Sequence, residues 1–135
     1  MERPAPRQLP SHQLTMLQIY GSLFFAAAKN LEEMLPRVDN TTHAVVALGL
    51  RGRGEIGSTF VTVLKRYAEE LAARDSRLML VGVDPRVLDQ LARTGLLQVI
   101  GQENVFLATP QLGEAMNQAA AAAYAWLGQT PPKVA

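Results

Sequence analysis

The chain has 135 residues, room for one domain, and its 48% hydrophobic and 19% charged residues are typical of a globular protein. Its 13 Lys and Arg against 12 Asp and Glu give a net charge of +1, without the basic excess of a nucleic-acid binder. The absence of cysteine excludes disulfides, thiolate nucleophiles and Cys-ligated zinc. No apolar run approaches the ~18 residues of a membrane span, and the first residues lack the apolar stretch of a signal peptide. The chain itself is therefore expected to be soluble and cytoplasmic.

Proline marks both ends of the chain. Pro4, Pro6 and Pro10 lie among polar residues, so residues 1–12 are predicted to form an extended linker or arm. Residues 129–135 contain two further prolines and are predicted to be a disordered tail. The folded domain is therefore expected to span residues 13–128.

Apolar runs predict strands, and apolar residues at helical spacing predict helices between them. The predicted strands cover residues 14–20 with a short continuation at 23–25, then 44–50, 78–83 and 104–107. The predicted helices end at Pro36, run from the cap Ser58 through Leu71, follow the cap Asp84 to Gly95, and follow the cap Thr109 to Leu127. This alternation predicts an α/β fold: a mainly parallel or mixed sheet of four to five strands with about four helices. Residues 44–50 and 78–83 are expected to be neighbouring parallel strands.

A glycine-rich loop is the motif that most resembles a chemical site. Gly52, Gly54 and Gly57 form a GxGxxG pattern between a strand and a helix, the pattern of dinucleotide-binding loops. However, Arg51 and Arg53 crowd the loop, and a phosphate-binding P-loop would need a lysine where this chain has a serine. A small nucleotide-binding domain is therefore the less favoured interpretation. The alternative is that glycines let an exposed turn adopt positive φ.

No pair of residues points to catalysis. No histidine adjoins Ser58 to act as a base, and the carboxylates lie at caps or on solvated helix faces, so we expect no enzyme, no cofactor and no metal ion. His12 and His43 are far apart in the sequence and are predicted to be surface or strand-end residues. Tyr124, Trp126 and the alanines 119–123 form either a partner-binding stripe or, as we favour, the core face of their own helix.

Five segments in order carry a family resemblance. They are Tyr20-Gly21-Ser22-Leu23-Phe24-Phe25 before a helix, Ile56-Gly57-Ser58-Thr59 at the loop, and the blocks at 77–83, 91–97 and 101–106. Together they resemble the STAS domain, the module shared by sulfate transporters and anti-sigma factor antagonists. The resemblance covers about residues 13–120 and implies a STAS-like α/β fold.

Two branches of the family imply two functions. Leu23-Phe24-Phe25 and Glu103-Asn104-Val105-Phe106 resemble the transporter branch, in which the domain is the cytoplasmic C-terminal part of a SulP-type anion permease. That branch implies a non-enzymatic regulatory domain, with the transmembrane part of the same polypeptide and regulatory proteins as partners, on the cytoplasmic side of the membrane. We then expect ten or so apolar segments upstream of Met1, each of about 20 residues.

The antagonist branch is the alternative, a free-standing protein regulated by serine phosphorylation. Its kinase-target serine corresponds to Ser58, but Gly57 and Phe60 replace the Asp and Gly of the family signature. The resemblance therefore implies a phosphorylation or interaction loop, and weak nucleotide binding stays open. The residues of this loop are Arg51, Arg53, Gly57, Ser58 and Thr59.

Overall fold

The computed structural model describes residues 8–19, 32–50, 56–111 and 113–131. The strands are β1 Leu14–Gln18, β2 Val45–Gly49, β3 Arg77–Val83 and β4 Val105–Leu107. The helices are α1 Ser58–Ala72, α2 Pro85–Arg93, α3 Leu96–Ile100 and α4 Glu114–Leu127, with a 3₁₀ turn at Gln102–Asn104. Residues 32–34 are also helical and end before Pro36, as the sequence predicts. The predicted strand at 23–25 lies outside the described residues.

The sheet has the order β1-β2-β3-β4, and each neighbouring pair is parallel. Val45 pairs with Leu14 on one side and with Arg77 on the other, so β2 and β3 are the parallel neighbours that the sequence predicts. Every residue of β2 is buried, because helices cover both faces of this central strand. The α/β prediction is therefore confirmed, with four parallel strands in the part of the chain that the structure describes.

The two faces of the sheet are covered unequally. One face packs against α1, α2 and α3, and its buried residues include Val46, Leu48 and Leu80. The opposite face packs against α4, and its buried residues include Val45, Ala47 and Met79. The alternation of side chains along β2 therefore divides the core into a larger and a smaller layer.

Two predicted helix starts differ from the structure, and one short helix was not predicted. Gly57, not Ser58, is the N-cap of α1, because the Gly57 carbonyl already accepts the first helical bond, from the Val61 amide at 3.0 Å. Helix α4 begins at Glu114 after Gly113, and the Thr109 hydroxyl instead donates to the Gln111 carbonyl at 3.0 Å. Helix α3 was not predicted; glycines with positive φ, Gly95 at 83° and Gly101 at 95°, bound its five residues.

The segment before β1 packs on the domain where the structure describes it. Leu9 is buried, and its amide donates to the Arg37 carbonyl at 2.9 Å. The Thr41 hydroxyl donates to the Leu9 carbonyl, and the side-chain amide of Gln8 donates to the Thr41 hydroxyl at 2.9 Å. Proline-rich composition does not reveal such packing, because it rests on one apolar residue and on backbone groups. Across these described ranges, the helices are too short or too polar to cross a bilayer.

Candidate functional site

The amino-terminal turn of α1 carries the residues that the sequence singled out. It lies at the carboxyl end of the sheet, after β2, and exposes Ser58 and Thr59 to solvent. Phe60 and Val61 are buried directly behind them and hold the turn on the core. Two adjacent hydroxyls are thus presented on a packed helix rather than on a free loop.

The electrostatics of this turn favour negative charge. Gly57 caps the helix with φ −78° and ψ 161°, no side chain caps it, and the first turn holds no acidic residue. The amides and the positive end of the helix dipole are therefore not neutralised by a carboxylate within the turn. A phosphoryl group or a partner's carboxylate would be stabilised there. The φ of Gly57 is ordinary, so the positive φ proposed for the glycines of this loop does not hold at Gly57.

Gln90 of α2 holds the backbone immediately before the turn. Its side-chain oxygen accepts from the Ile56 amide at 2.9 Å, and its side-chain nitrogen donates to the Ile56 carbonyl at 2.8 Å. Ile56 is buried in the core next to this contact. Sequence reasoning missed Gln90, because a contact between residues 34 positions apart leaves no local pattern.

The remaining residues of the predicted loop, Arg51 and Arg53 with Gly52 and Gly54, lie outside the described residues. The described part of the GxGxxG pattern is therefore Gly57 alone. A separate cavity of about 280 Å³ lies at the carboxyl edge of the sheet, on the α4 face. Its described lining includes Gln18, Gly49, Thr109 and Met116 and contains no ionisable side chain.

The two histidines meet at the opposite, amino edge of the sheet. The ring centroids of His12 and His43 are 5.7 Å apart, and His43 stacks on Trp126 at 4.2 Å. The Arg77 guanidinium lies 4.7 Å from the centroid of the Trp126 ring, and His43 Nδ1 lies 3.5 Å from an Asp75 carboxylate oxygen. Both histidines precede strands, as the sequence predicts. Over the described ranges, His, Asp and Glu side chains form no group of three that could hold a metal ion.

The aromatic residues of α4 belong to the core layer of their own helix. Ala115, Ala119 and Ala123 are buried against the sheet, and Tyr124 and Trp126 are half-buried and pack on the same cluster. This confirms the favoured interpretation of the alanine-rich stripe.

Among the residues that the structure describes, two ionisable groups have shifted pKa values, one through hydrogen bonds and one through burial. The Arg86 amide donates to the Asp84 carboxylate at 2.8 Å, and this bond, followed by the bond from the Arg86 side chain, lowers the pKa of Asp84. Burial raises the pKa of Tyr67, whose hydroxyl donates to the Pro36 carbonyl at 2.7 Å. Asp84 is the helix cap that the sequence predicts, and Tyr67 ties α1 to the segment before β2. Both contacts hold one element of the fold in place.

The fold and the order of the sequence blocks identify the class of protein. A model of the STAS domain family matches residues 4–112. This is most of the chain, and the protein therefore belongs to the STAS domain family.

Two solved structures share this fold. The sulfate transporter family protein from Wolinella succinogenes has a TM-score of 0.69 and 26% identity, and the match covers 90% of this chain and 92% of that chain. The STAS domain of a SulP transporter from Vibrio cholerae has a TM-score of 0.58 and 23% identity, with 85% and 84% covered. This second likeness shows the fold alone. No curated protein matches the sequence significantly.

Proposed function

We propose that the chain is a non-enzymatic, regulatory and protein-interaction domain of a SulP-family transporter of sulfate or another inorganic anion. The observation that carries this proposal is the similarity to the Wolinella succinogenes sulfate transporter family protein over nearly the full length of both chains. The domain would lie on the cytoplasmic side of the membrane, joined by residues 1–12 to the transmembrane part of the same polypeptide.

The amino-terminal turn of α1 supports a role in contact rather than in catalysis. Ser58 and Thr59 are exposed, and Phe60 and Val61 anchor them to the core. A turn of this kind offers a partner fixed donors and a positive helix end, and its first turn holds no acidic residue that could act as a base. We propose that Gly57, Ser58 and Thr59, with Arg51 and Arg53 of the preceding loop, form the surface that meets the transmembrane part or a regulatory protein.

The genomic locus gives the first test. We expect the reading frame upstream of Met1 to encode ten or so apolar segments, each of about 20 residues. The full-length product, reconstituted in vesicles, should then take up labelled sulfate at a rate that changes when residues 13–128 are deleted. A stop codon or an unrelated soluble gene directly upstream, or uptake that is unchanged by the deletion, would contradict the proposal.

The exposure of Ser58 at a helix amino terminus favours a second candidate, the free-standing anti-sigma factor antagonist. A kinase needs an accessible hydroxyl, and a phosphate at this position would gain from the helix dipole. Incubating the chain with cell extract and labelled ATP, followed by mapping of the label, tests this function. Stoichiometric labelling that is lost in Ser58→Ala and kept in Thr59→Ala would favour the antagonist; the absence of labelling would leave the transporter domain.

A further inference from the structure

The Gln90 side chain reproduces the pairing that one strand residue makes with another. It accepts from the amide and donates to the carbonyl of the same residue, Ile56, at 2.9 and 2.8 Å. A primary amide carries a donor and an acceptor side by side in one plane and can therefore make both bonds at once. These two bonds hold Ile56, the residue directly before the cap Gly57.

The helix that carries Gln90 is itself firmly held. Val87 and Leu91, on either side of Gln90, are fully buried in the core that also holds Ile56. The Asp84 carboxylate caps the start of the helix through the Arg86 amide. The position of Gln90 is therefore set by packing and not by the turn that it contacts.

We infer that Gln90 is a positioning residue that holds the amino-terminal turn of α1, and with it Ser58 and Thr59, at a fixed place relative to α2. The inference rests on the proposed function for the meaning of that turn as an interaction surface. A fixed turn does not have to be ordered when a partner binds, so the contact lowers the entropic cost of docking. The contact also connects the interaction surface to α2, so that a movement of α2 would displace the turn of α1, and the reverse.

Substitution by glutamate separates positioning from simple packing. A protonated glutamate has one acceptor oxygen and one O–H donor and can replace both amide contacts, whereas an ionised glutamate places a carboxylate against the Ile56 carbonyl. In Gln90→Glu, the amide resonances of Ser58 and Thr59 should therefore be displaced from their wild-type positions at pH 7. They should return toward those positions as the carboxyl is protonated at low pH. Gln98→Glu, on the exposed side of α3, is the matched control and should leave both resonances in place.

Gln90→Met removes both hydrogen bonds and keeps a similar volume. We expect hydrogen exchange of the Ile56 amide to become about tenfold faster relative to that of Val63 in the middle of α1, because a lost hydrogen bond is worth about one factor of ten. Resonances of Ser58 and Thr59 that are unchanged in both Gln90 variants, or exchange that accelerates equally in Ile56 and Val63, would overturn the inference.

Sulfate uptake by the full-length product with Gln90→Met tests the proposed function separately. If the resonances move while uptake is unchanged, the positioning role stands and the role of the turn in the transporter fails. If the resonances do not move, the positioning role fails whatever the uptake.

Discussion

Ser58 and Asp84 follow parallel strands at the same edge of the sheet, yet they start their helices differently. Asp84 is a true N-cap, whose carboxylate accepts from the Arg86 amide, and Ser58 is the first helical residue after the cap Gly57. Local sequence favours both residues as caps, because hydroxyl and carboxylate oxygens bond to first-turn amides. Removing the Asp84 side chain should therefore lower the stability of the protein more than removing the Ser58 side chain.

Substitutions at Ser58 should have small effects on stability. Ser58→Ala should change the free energy of unfolding by less than about 0.5 kcal/mol, since an exposed side chain without a capping bond is removed. Ser58→Asp should raise it by about 0.3–1 kcal/mol, because negative charge is favourable at the start of a helix. Urea unfolding at pH 7 measures both, and Asp84→Ala is the comparison that should lower stability. A Ser58→Asp chain that does not fold would contradict the placement of Ser58.

Tyr67 should make the protein sensitive to alkali. Burial raises its pKa above the ordinary value of about 10, so above pH 10 the unfolded chain releases the phenol proton while the folded chain retains it. Stability is therefore fully present below pH 10 and falls as the pH rises above it. Unfolding by urea between pH 8 and 11 should show this fall in the wild type and a shallower one in Tyr67→Phe. Tyr124→Phe is the control, and an equal change in slope for both variants would contradict the role of Tyr67.

At the scale of elements, strand β3 changes its register where Gly82 interrupts the pairing with β4. Val81 pairs with Phe106, and Val83 pairs with the next residue of β4, Leu107. Strand β3 therefore has one extra residue, Gly82, which forms a β-bulge. Gly82 has φ 74°, a conformation that side chains with a Cβ disfavour. The bulge directs the end of β3 into Asp84 and α2, and so it supports the helix that carries Gln90.

Gly82→Ala should therefore cost about 1–2 kcal/mol, the penalty of a left-handed conformation for an L-residue. The matched control is Gly49→Ala in β2, whose φ is not positive. The three atoms nearest to a Cβ there all belong to the end of the exposed Gln18 side chain, which can rotate away. Urea unfolding of both variants tests this expectation, and equal losses would show that space rather than backbone conformation constrains Gly82.

At the scale of the whole molecule, the helices that cover the two faces of the sheet differ in number and in the size of their buried side chains. Three helices with large side chains cover one face, and α4 covers the other with small ones, Ala115, Ala119 and Ala123. Small side chains let α4 approach the sheet closely enough to bury Val45 and Met79. Two residues after the end of α4, the Gln129 side chain donates to the His12 carbonyl at 2.6 Å, near the other end of the chain. The segment that follows α4 thus contacts the arm before β1, and α4 itself packs in the smaller core layer.

Enlarging the buried face of α4 should destabilise the protein where enlarging its exposed face does not. Ala119→Leu inserts three carbon atoms at a fully buried site and should lower the free energy of unfolding by about 1–3 kcal/mol. Ala121→Leu, two residues later on the exposed face, should change it by less than about 0.5 kcal/mol. Thermal and urea unfolding of the pair measure the difference, and similar losses would contradict the packing of α4.

The sequence by itself determined the class of fold, because strands that are buried on both faces leave continuous apolar runs and helices leave a regular apolar stripe. Residues 44–50 and 78–83 show such runs, and the structure places both as parallel neighbours. The order of five short blocks also indicated the STAS family, which the match over residues 4–112 shows. The sequence also predicted Asp84 at a helix start, because its carboxylate can accept from a first-turn amide and because Pro85, which follows it, suits the first helical position.

Only the tertiary structure decided which polar groups distant in the sequence meet, at the candidate site and elsewhere. Gln90 contacts Ile56 across 34 positions, Tyr67 contacts Pro36 across 31, and Gln129 contacts His12 across 117. None of these pairs is visible as a local pattern, since each depends on how the folded elements bring residues distant in the sequence together. The start of α1 at Ser58 after the cap Gly57, with Phe60 and Val61 buried behind it, was likewise visible only in the structure. Composition and periodicity determine which elements form, and packing determines which of their polar groups meet.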